Sequence, residues 1–206
     1  MSEITVEQTH HEEAADHGHA SPQARAANLK LAMWLYLGSE VIIFSVLIAA
    51  YLVFRYNFPE MVRAAQESIN VGLVGFNTFL LLGSSWAMVM GLLSIQRGDR
   101  AGLVRWIGLT ALMGAVFVAL QGVEYTELGH EGIAVYGSEF GMRFYAMTAF
   151  HGFHVIIGVL WALFVVRNAQ RGNYSADNYV GVEIFGLYWH FVDVVWIFLF
   201  TFIYLF

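Results

Sequence analysis

The chain contains no cysteine, and only two of its 206 residues are proline. The absence of cysteine excludes disulfide bonds, thiolate metal sites and cysteine nucleophiles. Charged residues make up only 13% of the sequence, about half the fraction in soluble globular domains. So low a charge content argues against a water-soluble domain.

Apolar residues are correspondingly abundant. They account for 58% of the chain, and the mean hydropathy is +0.60. Five apolar segments each reach the roughly 20 residues that a membrane-spanning helix needs. They lack the alternation of a membrane β-barrel, so we expect an all-α bundle of five transmembrane helices. The predicted spans are residues 31–54, 71–95, 103–125, 144–166 and 181–206.

The N-terminal residues 1–29 differ from the rest, because they are acidic, rich in histidine and poor in apolar side chains. Such a segment cannot bury a core, so we predict a disordered tail followed by a single membrane domain at residues 30–206. A metal-chelating tail is the alternative interpretation, and it depends on composition alone. Its histidines are His10, His11, His17 and His19.

The distribution of lysine and arginine predicts the orientation of the bundle. Seven of these residues fall on the side of the N-terminus and three on the opposite side. Positively charged residues are enriched in cytoplasmic loops. We therefore expect a cytoplasmic N-terminus and an outward-facing C-terminus.

Several ionisable residues lie inside the predicted spans. A rise of about 1.5 Å per residue places Glu40 and His190 roughly 14 Å from the cytoplasmic end of their helices. Asp193 and His154 fall at similar depth, and His151 lies one turn from His154. We predict that Glu40, His154, His190 and Asp193 share a polar layer in the middle of the membrane.

Two further glutamates lie closer to span ends. Glu183 falls at the start of the last span, where a carboxylate suits the positive end of the helix dipole. Glu124 falls near the outer end of the third span, and we interpret it as an interfacial residue that can reach water.

Three interpretations of the central layer remain open on the residues alone. The groups could pair with one another and hold helices together, although such pairs contribute only about 0.6 to 2 kcal/mol. They could instead handle protons, because ionisable groups inside a membrane are commonly functional. The third interpretation is metal or haem ligation, since His151 with His154 and His190 with Asp193 have ligand side chains at i, i+3 spacing.

Five segments in chain order resemble subunit III of haem-copper oxidases. The two most specific are FHGFHVIIG at residues 150–158 and YWHFVDVVW at residues 188–196. The other three are WLYLGSE at 34–40, NTFLLLGSS at 77–85 and QGVEY at 121–125. The resemblance covers the chain from Trp34 to Phe206 and matches the short, five-helix bacterial form of the family.

This resemblance implies an accessory subunit of a respiratory oxidase that reduces oxygen to water and translocates protons across the bacterial cytoplasmic membrane. It implies no catalytic residue and no metal in this chain, with haem and copper in partner subunits. Oxidase subunit I, by direct helix packing, subunit II and structural phospholipid are the implied partners, without nucleic acid. The family's buried, carbodiimide-reactive glutamate corresponds to Glu40. Support of proton uptake by subunit I is also implied.

Two alternatives come from other classes of protein. The first is a stand-alone b-type membrane cytochrome with haem held between histidines. In this chain, however, the paired ligand residues lie on the same helix. A haem bound between two helices more naturally takes one histidine from each helix. The second is an assembly factor that leaves the mature complex.

Overall fold

A computed structural model describes residues 21–136 and 138–206. Within those ranges the chain is helical, and five of the helices are long and apolar enough to cross a membrane. The predicted all-α membrane bundle is confirmed. The helices are α1 (Pro22–Asn57), α2 (Pro59–Glu67), α3 (Val71–Gln96), α4 (Arg100–His130), α5 (Glu139–Gln170) and α6 (Val180–Phe200), and a π-helical turn (Thr201–Leu205) follows α6.

The helices extend beyond the apolar runs because polar residues cap their N-termini. The Asp99 carboxylate accepts a hydrogen bond from the Gly102 amide at 2.8 Å, and α4 begins one residue later. The Ser138 hydroxyl accepts one from the Gly141 amide at 3.1 Å, at the start of α5. Such caps satisfy amide groups that have no partner within the helix. Counting apolar residues alone therefore gives spans that are too short.

The first helix also begins earlier than predicted. It starts at Pro22, where the Ser21 hydroxyl accepts a hydrogen bond from the Ala24 amide at 3.2 Å. The prediction of disorder is therefore wrong for residues 22–29, which belong to α1. Residues 1–20, including the four tail histidines, lie outside the described residues.

A short helix, α2, occupies the segment that we predicted to be a polar connection. Pro59 stands at its first turn, and Val62 and Ala65 are buried against the bundle. The Gln66 amide donates a hydrogen bond to the carbonyl of Ile203 at 2.8 Å. This bond satisfies a carbonyl at the C-terminal end of the chain, where helices leave such groups unpartnered.

The sixth helix lies at the centre of the bundle. Helices α3, α4 and α5 pack as consecutive neighbours, and α6 packs against both α3 and α5. Helix α1 contacts α6 and α5 from outside. Half of the apolar part of the last span is buried, compared with 28% of that of α1.

Two tryptophans and a tyrosine attach α6 to its neighbours. Trp189 lies against Gly114 of α4 and Gly158 of α5, where an added Cβ atom would come within 2.6 Å of the indole. Its Nε1 donates to the Ser84 hydroxyl at 3.0 Å. Trp196 donates in the same way to the Thr78 hydroxyl at 2.9 Å. The Tyr188 hydroxyl donates to the carbonyl of His154 at 2.9 Å.

Candidate functional site

Glu40 of α1 and His154 of α5 meet inside the bundle. Glu40 Oε2 lies 3.4 Å from His154 Nε2, and the two side chains are only 11% and 5% exposed. The separation is longer than a well-formed hydrogen bond. The pair is nevertheless close enough for a small movement of either side chain to complete one.

The other nitrogen of His154 determines what this pair can do. Nδ1 lies 2.8 Å from the carbonyl oxygen of Phe150. A carbonyl only accepts hydrogen bonds, so Nδ1 must carry a proton. Nε2 is then either a free acceptor facing a protonated Glu40, or a second donor facing the carboxylate.

Aromatic rings surround this pair. The Phe44 ring lies 5.4 Å from the His154 ring and 6.4 Å from the His151 ring. The Phe150 ring lies 4.7 Å from His154. These apolar side chains border the pair, and apolar surroundings strengthen electrostatic interactions within it.

His151 lies one turn away and is fully buried. Its ring stacks on Trp196 at 5.0 Å between centroids, with 27° between the planes. Neither ring nitrogen has a hydrogen-bond partner among the described residues. His151 is thus an unsatisfied polar group within an aromatic environment.

His190 and Asp193 belong to a second polar group, around Ser85 of α3. The Ser85 hydroxyl lies 2.6 Å from His190 Nδ1 and also stands beside Asp193. Asp193 is 3% exposed, and neither carboxylate oxygen has a hydrogen-bond partner in the described ranges. No hydrogen bond within those ranges joins this group to Glu40 or His154. The structure therefore places the residues of the predicted layer in two separate groups.

His190 is only partly buried, whereas Glu40, His154 and Asp193 are buried. It lines a groove of 350 Å³ between α1 and α6, together with Trp34 and Leu187. A longer apolar groove of 440 Å³ continues along the same two helices, lined by Phe44, Phe198 and other apolar side chains. The groove between α1 and α6 is consequently open on one side.

Glu124, which we predicted to lie at the membrane interface, points into the bundle and is 4% exposed. The hydroxyl of Tyr204 from the C-terminal turn stands beside its carboxyl group. Glu124 Oε1 and the Tyr204 hydroxyl both lack a hydrogen-bond partner in the described part of the chain. Tyr204 carried no distinguishing signal in the sequence, because its position near a span end is that of an ordinary interfacial aromatic.

Glu183 forms an ion pair that the sequence analysis did not anticipate. Its Oε2 lies 2.7 Å from Nζ of Lys30, and this contact joins the first turn of α6 to α1. In the predicted orientation, residue 30 and the start of the last span lie on the same side of the membrane. The sequence therefore allowed a contact between Lys30 and Glu183. The structure therefore joins α1 to the rest of the bundle at its N-terminal end and again at mid-height.

Among residues 21–136 and 138–206, no group of three or more histidine, aspartate or glutamate side chains is arranged to hold a metal ion. The two sites at mid-height each offer a histidine and a carboxylate. Both arrangements suit proton exchange and hydrogen bonding between helices.

Comparisons with known proteins agree with the resemblance seen in the sequence. The family model described as cytochrome c oxidase subunit III matches residues 4–206. The cytochrome c oxidase subunit 3 of Synechocystis is 39% identical over 205 residues, covering 99% of this chain and 84% of that protein. The quinol oxidase subunit 3 of Bacillus subtilis is 35% identical over 94% of this chain and 97% of its own length.

Proposed function

Since this chain belongs to the cytochrome c oxidase subunit III family, we propose that it packs directly against oxidase subunit I, in a complex that also contains subunit II. The chain is an accessory subunit of a haem-copper oxidase, a complex that reduces oxygen to water with proton translocation. Haem and copper reside in the partner subunits. The observation that carries the proposal is the match of a single family over residues 4–206.

The membrane in question is the bacterial cytoplasmic membrane, with the N-terminus in the cytoplasm. Two observations support this arrangement. The relatives are bacterial, and lysine and arginine favour the N-terminal side by seven to three. The electron donor is either cytochrome c or a quinol, because relatives named for each type of oxidase match at similar identity.

The exposed surface of α1 supports assembly with other subunits and with lipid. Leu35 and Ile42 are 69% and 66% exposed. The open grooves between α1 and α6 have apolar walls. A transmembrane helix of subunit I and the chains of structural phospholipid are chemically suited to cover such surfaces.

Glu40 carries a proton in the resting complex and supports proton uptake by subunit I. A carboxylate inside a membrane is costly unless it is paired or hydrated. His154 offers an acceptor at 3.4 Å, and the Nδ1 contact with Phe150 leaves that acceptor available. Protonation of Glu40 therefore removes a buried charge without requiring one on His154.

The direct test is purification of the tagged chain from native membranes in mild detergent, with a reduced-minus-oxidised spectrum and partner identification on the same preparation. Haem bands accompanied by larger partner chains are expected. Haem bands from this chain alone would instead support the b-type cytochrome. Presence only during biogenesis, and absence from the mature oxidase, would support an assembly factor.

A further inference from the structure

Unsatisfied polar atoms are concentrated in one part of the interior. Twelve buried side-chain atoms have no hydrogen-bond partner among the described residues, and eight of them belong to six residues. We name these residues the interior polar seam. They are Glu40, Gln121, Glu124, Tyr125, His151 and Tyr204.

The seam is continuous from Glu40 to His151. Glu40 contacts His154, and His151 lies three residues earlier on the same helix, so the two histidines are neighbours on one face of α5. The ring of Phe44 packs against both histidines. The pair at mid-height and the unsatisfied imidazole therefore belong to one enclosed region.

The seam continues from His151 to α4. A Cβ atom at Gly152, the neighbour of His151, would lie 3.5 Å from Gln121 Oε1. One turn before Gln121, the ring of Phe117 lies 6.0 Å from that of His151. Gln121, with both amide atoms unsatisfied, thus stands next to the turn that carries His151.

Glu124 and Tyr125 complete the seam toward the C-terminal end of the bundle. They follow Gln121 by three and four residues, so all three lie on one face of α4. Tyr204 stands beside Glu124, and its ring lies 6.2 Å from that of Trp196. Trp196 stacks in turn on His151 at 5.0 Å, which returns the path to the middle of the bundle.

The chemistry of the seam is that of groups that bind water. Two carboxyl groups, an amide, an imidazole and two phenols can each act as donor or acceptor, and eight of their atoms have no hydrogen-bond partner by distance and angle among the described residues. Buried polar atoms in native proteins are nearly always satisfied, by protein or by ordered water. One buried water makes about three such bonds and so can serve several of these atoms at once.

We propose that ordered water molecules occupy the interior polar seam and connect the Glu40–His154 pair with Glu124. The proton of Glu40 then exchanges along these waters toward Glu124 and Tyr204, at the C-terminal end of the bundle, without passing through lipid. Each exchange replaces the proton on Glu40 by one from the adjacent water and leaves net charge unchanged. This inference depends on the protonated Glu40 proposed above.

Infrared spectroscopy of the intact oxidase complex tests the inference. The carboxylic C=O band of Glu40 is identified by its loss in the Glu40→Gln variant, and its shift is followed after transfer from H2O to D2O. The Gln121→Leu variant replaces the amide with an apolar group of similar size. We expect its Glu40 proton to exchange with deuterium at least about tenfold more slowly than in the wild type, because exchange then requires local opening of the bundle.

Thr110→Val is the matched control on the same helix. The Thr110 hydroxyl is buried but satisfied, since it donates to the carbonyls of Ser84 at 3.3 Å and Trp106 at 3.1 Å. Its variant should exchange at the wild-type rate. Equal rates in the Gln121→Leu variant and the wild type would overturn the inference.

Two measurements on the wild-type complex, its water structure and its infrared spectrum, keep the inference testable if the Gln121→Leu complex does not assemble. Density for ordered water within hydrogen-bonding distance of Gln121 and His151 in the wild-type complex would support it. Direct hydrogen bonds between those side chains, with no water, would overturn it. A wild-type complex without a Glu40 carboxylic band would also overturn it, while its partner subunits would still establish the assignment to the oxidase.

Discussion

Helices α6 and α1 both cross the bundle and each places one carboxyl group at mid-height, but they are held in different ways. Helix α6 is fixed by close packing and buried hydrogen bonds, with the indole of Trp189 against Gly114 and Gly158 and donating to the Ser84 hydroxyl. Helix α1 makes polar contacts at three heights and buries only a few apolar side chains, such as Phe44 and Tyr51, while most of its other residues are exposed. Those contacts are Lys30 with Glu183, Glu40 with His154, and Arg55 with the carbonyl of Phe202 at 3.1 Å.

The comparison shows that α6 stabilises the fold of this chain, whereas α1 leaves surface available for contact with other molecules. Close packing against glycine leaves α6 one position, since interiors tolerate little change in volume. Polar contacts at a few points hold α1 less strictly and leave its outer face and the groove beside α6 accessible. We interpret α6 as the structural centre and α1 as the element nearest to function.

The largest expected effect comes from filling the space that Trp189 occupies. The Gly114→Ala variant places a Cβ atom 2.6 Å from the Trp189 ring and 2.9 Å from Val159. We expect a loss of about 1–3 kcal/mol from overpacking. The thermal unfolding midpoint of the purified complex, and the fraction of complex that retains this subunit, measure the loss.

Gly108→Ala is the control, because a Cβ atom at this position of the same helix meets nothing within 4 Å. Alanine favours the helix over glycine by up to about 1 kcal/mol, so this variant should be as stable as the wild type or more so. Equal destabilisation by both substitutions would show that α6 does not depend on the contact between Trp189 and Gly114.

The next effect, of similar size, is expected from removing the acceptor of the Trp196 indole. Thr78→Val keeps the volume but leaves the buried Nε1–H group without a partner at its 2.9 Å contact, which costs about 1–3 kcal/mol. Thr78→Ser keeps the hydroxyl and should retain most of the stability. Chemical denaturation of the complex distinguishes the two variants. Indistinguishable stabilities would mean that the hydrogen bond does not help to fix α6.

The smallest effect is expected at the ion pair between α1 and α6. Lys30 and Glu183 are 41% and 23% exposed, and solvent-accessible pairs contribute less than about 1 kcal/mol. Lys30→Ala and Glu183→Gln should each cost this much at low salt, and the double variant should cost no more than either. A double-mutant cycle at low and high salt measures the coupling. A coupling unaffected by salt would indicate a contact shielded from solvent.

The sequence predicted the number and order of the spans, because apolar length alone decides whether a helix crosses a bilayer. Helical rise converts residue number into height, which is why we placed Glu40 and His154 at one depth; the structure brings their side chains to 3.4 Å from each other. The helix ends at Asp99 and Ser138 depend on polar caps, which a count of apolar residues does not include.

Rotation about the helix axes could not be predicted in the same way. Each span is apolar on nearly every face, so hydrophobicity does not indicate which side points inward. That is why His190 and Asp193 were grouped with Glu40, whereas the structure places them beside Ser85. Nothing in the sequence indicated that Trp189 lies against both Gly114 and Gly158, which only the structure shows.

Carbodiimide labelling of the intact complex, located by mass spectrometry, tests most directly whether α1 carries the protonated carboxyl. We predict that Glu40 is the labelled residue in this chain and that Glu40→Gln abolishes the label while the complex still assembles. Labelling of Asp193 with Glu40 unmodified would contradict the account, because it would place the reactive carboxyl on the structural helix α6.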